Sequence, residues 1–354
     1  MAYNEQFLKE ELEKKRRTMD TVVNIALIGQ PGAGKSSLIN ALVGKRLFET
    51  GVHTDTTVEA QPYQLDKLII TDLPGYGTAR FPFNKWMEKF HPEKLDLYLF
   101  VFDGKLHEAD LDLFKFFEKW KSERKHPYFI VRNKEDQLWD DFKSLEELKK
   151  DIQRDISSKM GKPNLKIYFT SCKTKDGIKD LKKDILSENI PNILRSRLIA
   201  EFRATSKEDL DQKRNICLDD IDWYAWAGAA NGVNPIPGVD AAVDAGIILK
   251  MFSRIRNVFG LDSIDRISLA KYEMLLPIGK KVFDYATQEG VLILLKSVVK
   301  KSTARRFAKY IPLLGQAISA TASYKAIAIL GESYTNDCYT LAEAILSTTL
   351  NNEQ

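Results

Sequence analysis

An α/β domain on a mostly parallel sheet, joined to an all-helical domain, is the fold class this sequence predicts. Three observations predict it. Apolar runs of strand length recur through the first half and each ends on a glycine-rich or polar turn: Val22–Ile28, Leu68–Ile70, Leu95–Phe102, Tyr128–Arg132 and Lys166–Thr170. Segments of helical periodicity lie between them, the alternation that builds parallel sheets with helical crossovers. From Asn189 onward strand signals stop and helical patterns take over, with Pro191 marking the change. The expected organisation is a helix in residues 1–20, an α/β domain in 21–188 and a helical domain in 189–354.

Composition sets limits on function. A chain of 354 residues with 44% hydrophobic content has ample material for two cores. A net charge of +4 with 29% charged residues is too mild to argue for a nucleic-acid partner, and none is expected. Cys172, Cys217 and Cys338 are odd in number and widely spaced, without metal-site or disulfide patterning, so a reducing, cytoplasmic setting is expected. Met1–Glu5 lacks a leader's apolar core, and residue 2 is alanine where myristoylation needs glycine. The longest apolar stretches, Trp223–Phe252 and Ile311–Leu330, contain Asp240, Asp244, Lys250, Gln316 and Lys325 and read as buried helices.

The first strand carries the most specific signal. It delivers Gly29-Gln30-Pro31-Gly32-Ala33-Gly34-Lys35-Ser36, and an amphipathic helix begins at Ser37. This is a phosphate-binding P-loop in its required context, because successive N–H groups and the helix N-terminus form a positive concavity that glycines allow to wrap closely. Lys35 is placed to reach the β- and γ-phosphates, and the Ser36 hydroxyl to ligate Mg²⁺. The predicted nucleotide-binding set is the whole loop, Gly29, Gln30, Pro31, Gly32, Ala33, Gly34, Lys35, Ser36 and Ser37.

Gly51–Thr57 is a polar connection into a strand near Val58–Leu65. In P-loop GTPases a threonine here joins the Mg²⁺ shell and senses the γ-phosphate; Thr57 is the choice and Thr56 the fallback. A threonine that merely starts a strand is the alternative. Leu68–Gly75 then reads as a buried strand ending in Asp-x-x-Gly, with Asp72 holding Mg²⁺ through water and the Gly75 N–H touching the γ-phosphate. The catalytic candidates are thus Lys35, Thr57 and Gly75, and the metal candidates Ser36, Thr57 and Asp72. Where Ras-like enzymes carry a water-orienting glutamine, this chain has Tyr76, so intrinsic hydrolysis is expected to be slow unless a partner supplies the missing group.

The strand Tyr128–Arg132 delivers Asn133-Lys134-Glu135-Asp136, an Asn-Lys-x-Asp guanine reader. Asp136 is predicted to accept from the guanine N1–H and 2-amino group, Asn133 to brace base and P-loop, and the Lys134 stem to lie over the purine. Adenine lacks those donors and would leave the carboxylate desolvated and unpaired. Ser171-Cys172-Lys173, after the last strand, is similar to the Ser-Ala-Lys element whose backbone N–H meets the guanine O6. Between these loops, Leu111, Phe114, Phe117 and Trp120 repeat at helical spacing and are predicted core, while Lys143–Ser157 reads as a solvated helix.

In the helical half, Asn234–Asp240 and Tyr310–Gly315 are similar Pro-Gly turns, each opening a helix rich in small residues. Tight turns in a helical bundle explain them better than a membrane-inserting hairpin, given the internal charges. Lys296, Lys300, Lys301, Arg305, Arg306 and Lys309 spread around a helix axis instead of lining one face, which favours a solvated helix.

Taken together, Gly29–Ser37, Thr57 through Pro62-Tyr63, Asp72–Gly77, Val131–Asp136, Pro235–Phe252 with Phe259–Asp262, and Ile311–Leu330 resemble the immunity-related GTPases, the interferon-inducible family of the Gly-Lys-Ser type. The resemblance implies a Ras-like P-loop GTPase domain and a helical domain built from N- and C-terminal helices, giving Gln6–Met19 its packing partner. It also implies GTP as substrate, GDP as product, and activation by a homodimer or homo-oligomer formed through the GTPase face. Peripheral association with internal membranes and cell-autonomous defence are further implications. Gln30 stands where some members have a P-loop glutamate that helps activate a partner subunit. Two alternatives stay open. One is a nucleotide-regulated scaffold that hardly turns over, because the glutamine is missing; the other is an Era-like assembly GTPase, weakened by balanced charge beyond Phe202 and by the lack of a Gly-x-x-Gly RNA loop.

Overall fold

The computed structural model describes residues 10, 13–49, 60–77, 81–124, 126–231, 240–263, 276–287, 289–291 and 315–352. The chain forms two compact units, Thr21–Leu198 and Met1–Asp20 with Ile199–Gln354. The division falls inside a helix, Asn192–Glu201, and not at Pro191. Proline is tolerated in a helix's first turn, and here the Arg195 N–H bonds the Pro191 carbonyl at 2.9 Å, so Pro191 opens that helix.

The first unit runs β1 (Val23–Gly29), α1 (Lys35–Val43), β2 (Gln61–Leu65), β3 (Leu68–Asp72), α2 (Phe83–Phe90), β4 (Leu97–Phe102), α3 (Glu108–Arg124), β5 (Tyr128–Arg132), α4 (Leu145–Lys159), β6 (Ile167–Phe169) and α5 (Ile178–Ile185). The sheet order is β2-β3-β1-β4-β5-β6. All pairings are parallel except β2 with β3. Strand β4, Leu-Tyr-Leu-Phe-Val-Phe, is buried along its whole length, as a central strand covered on both faces has to be. Strand β2 is polar, exposed and carries Pro62, features that suit an edge and discourage further pairing.

Leu113, Phe114 and Phe117 of α3 pack with Trp86, Tyr98 and Phe100. Leu111 lies at the margin of this cluster, and the Trp120 side chain falls outside the described set. Tyr98 stacks on Phe117 with centroids 4.6 Å apart. Helix α4 starts with a capping box in which Ser144 and Glu147 satisfy each other's backbone N–H groups.

The second unit continues with α6 (Asn192–Glu201, shared across the division), α7 (Lys207–Asn231), α8 (Asp240–Val258), α9 (Leu276–Asp284) and α10 (Gly315–Asn352). Ile248, Met251, Phe252, Ile255 and Val258 form one buried stripe of α8 at helical spacing. Phe252 stacks on Tyr334 of α10 at 3.8 Å. Gly331 lets α10 approach α7, since a Cβ there would lie 2.7 Å from Ile221. Residues 13–20 are helical and join this unit through the Lys15–Asp222 ion pair; Asp222 also accepts from the Tyr324 hydroxyl. Buried Lys213 donates to the carbonyls of Ile199 and Ala200, each at 2.8 Å, and of Val258 at 2.6 Å, so one ammonium caps the ends of α6 and α8. Residues 234–239 and 310–314 of the Pro-Gly turns and the basic run Lys296–Lys309 lie outside the described residues.

Candidate functional site

Strands β1, β3, β5 and β6 run parallel, so the loops that follow them gather at one edge of the sheet, where ligands bind in open α/β folds. The register pairs Leu27 with Asp72, and the Leu73 N–H reaches the Leu27 carbonyl at 3.1 Å. That register sets the Asp-x-x-Gly turn beside the P-loop. Gly75 rests on Pro31 closely enough that a Cβ would stand 2.5 Å from the proline ring.

Within the P-loop, Gly32 (φ 75°) and Gly34 (φ 84°) take left-handed conformations that L-residues resist. Open space surrounds Gly32, whereas a Cβ at Gly34 would lie 2.4 Å from Asn133 Nδ2. Lys35 is buried, and its Nζ donates to the carbonyls of Gly29 (3.4 Å) and Gln30 (3.2 Å). Burial pulls the ammonium's pKa down, while Asp72 and Asp103 act against that. Ser36 Oγ hydrogen-bonds Asp72 Oδ2, and the fully buried Asp72 keeps Oδ1 without a partner among the described residues. Desolvation raises the Asp72 pKa against the opposing pull of Lys35 and Ser36. A buried carboxylate with an unmatched oxygen beside a hydroxyl and an ammonium is a costly arrangement that a hard, oxygen-seeking cation would relieve. Thr57 and Thr56 lie outside the described residues.

The β5 and β6 loops interlock with the P-loop. Asn133 is buried; its Nδ2 donates to the Ala33 carbonyl at 2.8 Å, and its Oδ1 accepts from Thr170 Oγ1 at 3.1 Å. Asp136 Oδ1 accepts from Ser171 Oγ at 2.6 Å. Ser171 Oγ in turn accepts the N–H groups of Lys173 (3.2 Å) and Thr174 (3.1 Å), holding that turn closed. The Ser171 N–H is spent on the Asp176 carbonyl at 3.0 Å. Burial pushes the Cys172 thiol up to about 11. Lys134 adopts φ 57° and pairs with Asp103 at 2.5 Å, a partner contributed by the turn after β4 that the motif spacing gives no hint of.

Gln30 and Tyr76 meet a group the sequence reading passed over. The Gln30 side chain turns into the domain, where Nε2 donates to Asp110 Oδ2 and to the Lys105 carbonyl, both at 2.8 Å. Tyr76 Oη donates to Asp110 Oδ1 at 2.5 Å, and the ring packs edge-on against Phe83 and Trp86. Burial, then the adjoining Asp110 charge, drives the Tyr76 pKa well up, so the phenol stays protonated.

This sheet, loop and guanine-reader arrangement defines the chain's first unit as a P-loop GTPase domain of Ras-like fold. The interferon-inducible GTPase (IIGP) family pattern matches residues 5–340, and the chain belongs to that family. It is 26% identical over 273 residues to Interferon-inducible GTPase 1 of Mus musculus, covering 71% of this chain and 64% of that protein. Interferon-inducible GTPase 5 of Bos taurus is 23% identical over 367 residues, covering 94% and 77% respectively. A probable GTP-binding protein EngB of Solibacter usitatus (strain Ellin6076) is 36% identical over 131 residues, 34% of this chain and 66% of that one. The match to the mouse protein thus spans just under two thirds of that relative's length.

Proposed function

We propose that this chain is a Mg²⁺-dependent GTPase that hydrolyses GTP to GDP and phosphate. The carrying observation is the unmatched Oδ1 of buried Asp72 beside Ser36 and Lys35, at the sheet edge where the Asn133–Asp136 loop also arrives. Lys35 and the N–H groups of Gly32–Ser36 would neutralise the β- and γ-phosphates, and the Gly75 N–H would meet the γ-phosphate. Ser36, Asp72 through water, and Thr57 would hold the cation, which when bound offsets charge building on the phosphoryl oxygens. Asp136, oriented by Ser171, would accept from the guanine edge, Asn133 and Lys134 would bracket the base, and the Cys172 N–H would meet O6.

The Tyr76 side chain is sequestered on Asp110, so it offers nothing to orient the attacking water. Turnover therefore depends on backbone groups or a second subunit across the GTPase face, and the isolated chain is slow. The same observation favours a second reading, a nucleotide-regulated scaffold. Family membership further suggests a part in cell-autonomous innate immunity at internal membranes by peripheral attachment; among the described residues no helix is long and apolar enough to cross a membrane.

Phosphate release measured against protein concentration, with GTP and ATP in parallel, tests both readings. Specific activity rising with concentration for GTP alone is expected; flat activity favours the monomeric or scaffold reading, and equal use of ATP refutes the guanine assignment. Lys35→Ala is expected to lose bound nucleotide, because phosphate charge is left uncompensated.

A further inference from the structure

Asp110 sits on the first turn of α3, is 1% exposed, and lies outside every motif of the nucleotide site. Four donor–acceptor contacts engage its neighbourhood: Tyr76 Oη at 2.5 Å on one oxygen, and Gln30 Nε2 at 2.8 Å and the His107 N–H at 2.7 Å on the other, with Gln30 also tied to the Lys105 carbonyl at 2.8 Å. Gln30 directly precedes Pro31, and Pro31 is the residue on which Gly75 rests; Gly75 directly precedes Tyr76. Two consecutive P-loop residues therefore oppose two consecutive residues of the Asp-x-x-Gly turn, and one carboxylate bolts the outer pair together. Phe83 and Trp86 pack edge-on against the Tyr76 ring, and Trp86 Nε1 donates to the Pro74 carbonyl at 2.8 Å, which ties this packing to the same turn.

We propose that Asp110 is a positioning residue that fixes the Gly75–Tyr76 backbone against the P-loop, so that this joint sets how strongly the site prefers a nucleoside triphosphate over a diphosphate. The inference rests on the nucleotide reading given above. A buried carboxylate that accepts from both sides makes the two segments move as one body, and neutralising it or removing the phenol frees the Gly75 N–H from its set position. Among the described residues the guanine loops make no contact with Asp110 or Tyr76, and Lys35 meets the joint only at the Gln30 main-chain carbonyl (3.2 Å), which neither variant alters, so diphosphate binding survives its loss.

The test uses the full chain with Tyr76→Phe, Asp110→Asn and the double variant. Affinities for GDP and for a non-hydrolysable GTP analogue are measured, together with kcat and KM for GTP. Expected is a fall of about tenfold in the analogue-to-GDP affinity ratio and in kcat, with GDP affinity within about twofold of wild type and the double variant no worse than either single one, the non-additivity of groups acting as a unit. An unchanged ratio, additive losses, or loss of GDP binding together with the analogue overturns the joint. If Asp110→Asn fails to fold, Tyr76→Phe, which keeps the ring and its packing, decides alone by the same ratio. A wild-type chain that binds both nucleotides but does not turn over refutes the hydrolase reading and leaves the ratio measurement intact; one that binds neither refutes the nucleotide reading itself.

Discussion

Gly34→Ala places one methyl group against both halves of the nucleotide site. At φ 84° an alanine pays about 1–2 kcal/mol for the left-handed conformation. Its Cβ, 2.4 Å from Asn133 Nδ2, also displaces the amide that bonds the Ala33 carbonyl at 2.8 Å. Asn133 is 2% exposed, so the displaced amide finds no water, and the unsatisfied group costs about 1–3 kcal/mol. Binding has to restore the geometry that the free loop relaxes away from, so the combined cost of about 2–5 kcal/mol appears as a loss of roughly 30-fold to several thousandfold in GDP affinity. Titration with a fluorescent GDP analogue measures it. Gly161→Ala is the control: φ 64° imposes similar strain, but no atom lies within 4 Å of its Cβ, so stability falls slightly and GDP affinity is unchanged. If Gly34→Ala holds GDP within about threefold of wild type, the reasoning that Asn133 hinges the two halves of the site is wrong.

Lys213→Met removes the ammonium that serves the Ile199, Ala200 and Val258 carbonyls and leaves those helix ends unmatched. A destabilisation of about 3 kcal/mol or more is expected in guanidinium denaturation, and a midpoint shift equivalent to under 1 kcal/mol refutes the capping role. Cys172, with its thiol pushed up to about 11 by burial, is mostly un-ionised at pH 8. Since the thiolate is the nucleophile, alkylation there is expected to be slower than for an exposed thiol and to accelerate as pH rises toward 11, read by mass spectrometry; fast labelling at pH 8 contradicts it.

The layout of the candidate site was legible because its motifs are written in consecutive residues. A P-loop, an Asp-x-x-Gly turn and an Asn-Lys-x-Asp loop each need particular residue types at fixed local spacing, and each stands at the end of an apolar run that can only be a buried strand. The burial of β4 was equally readable, since length and hydrophobicity are properties of the chain by itself. The reversed direction of β2 was not, because alternation marks a strand without saying which way its neighbour runs.

What the tertiary structure alone decided is who partners whom at long range. Asp110, on a helix whose charges otherwise read as surface, becomes the shared acceptor for Gln30 and Tyr76, 80 and 34 residues distant in sequence. Lys213 reads as one more lysine of a charged helix until two other helices end beside it. Local sequence determines the backbone conformation and the chemical groups it carries. Which of those groups are stripped of water together depends on how helices and strands pack, and a buried charge takes its role from whichever donors or acceptors that packing leaves within reach.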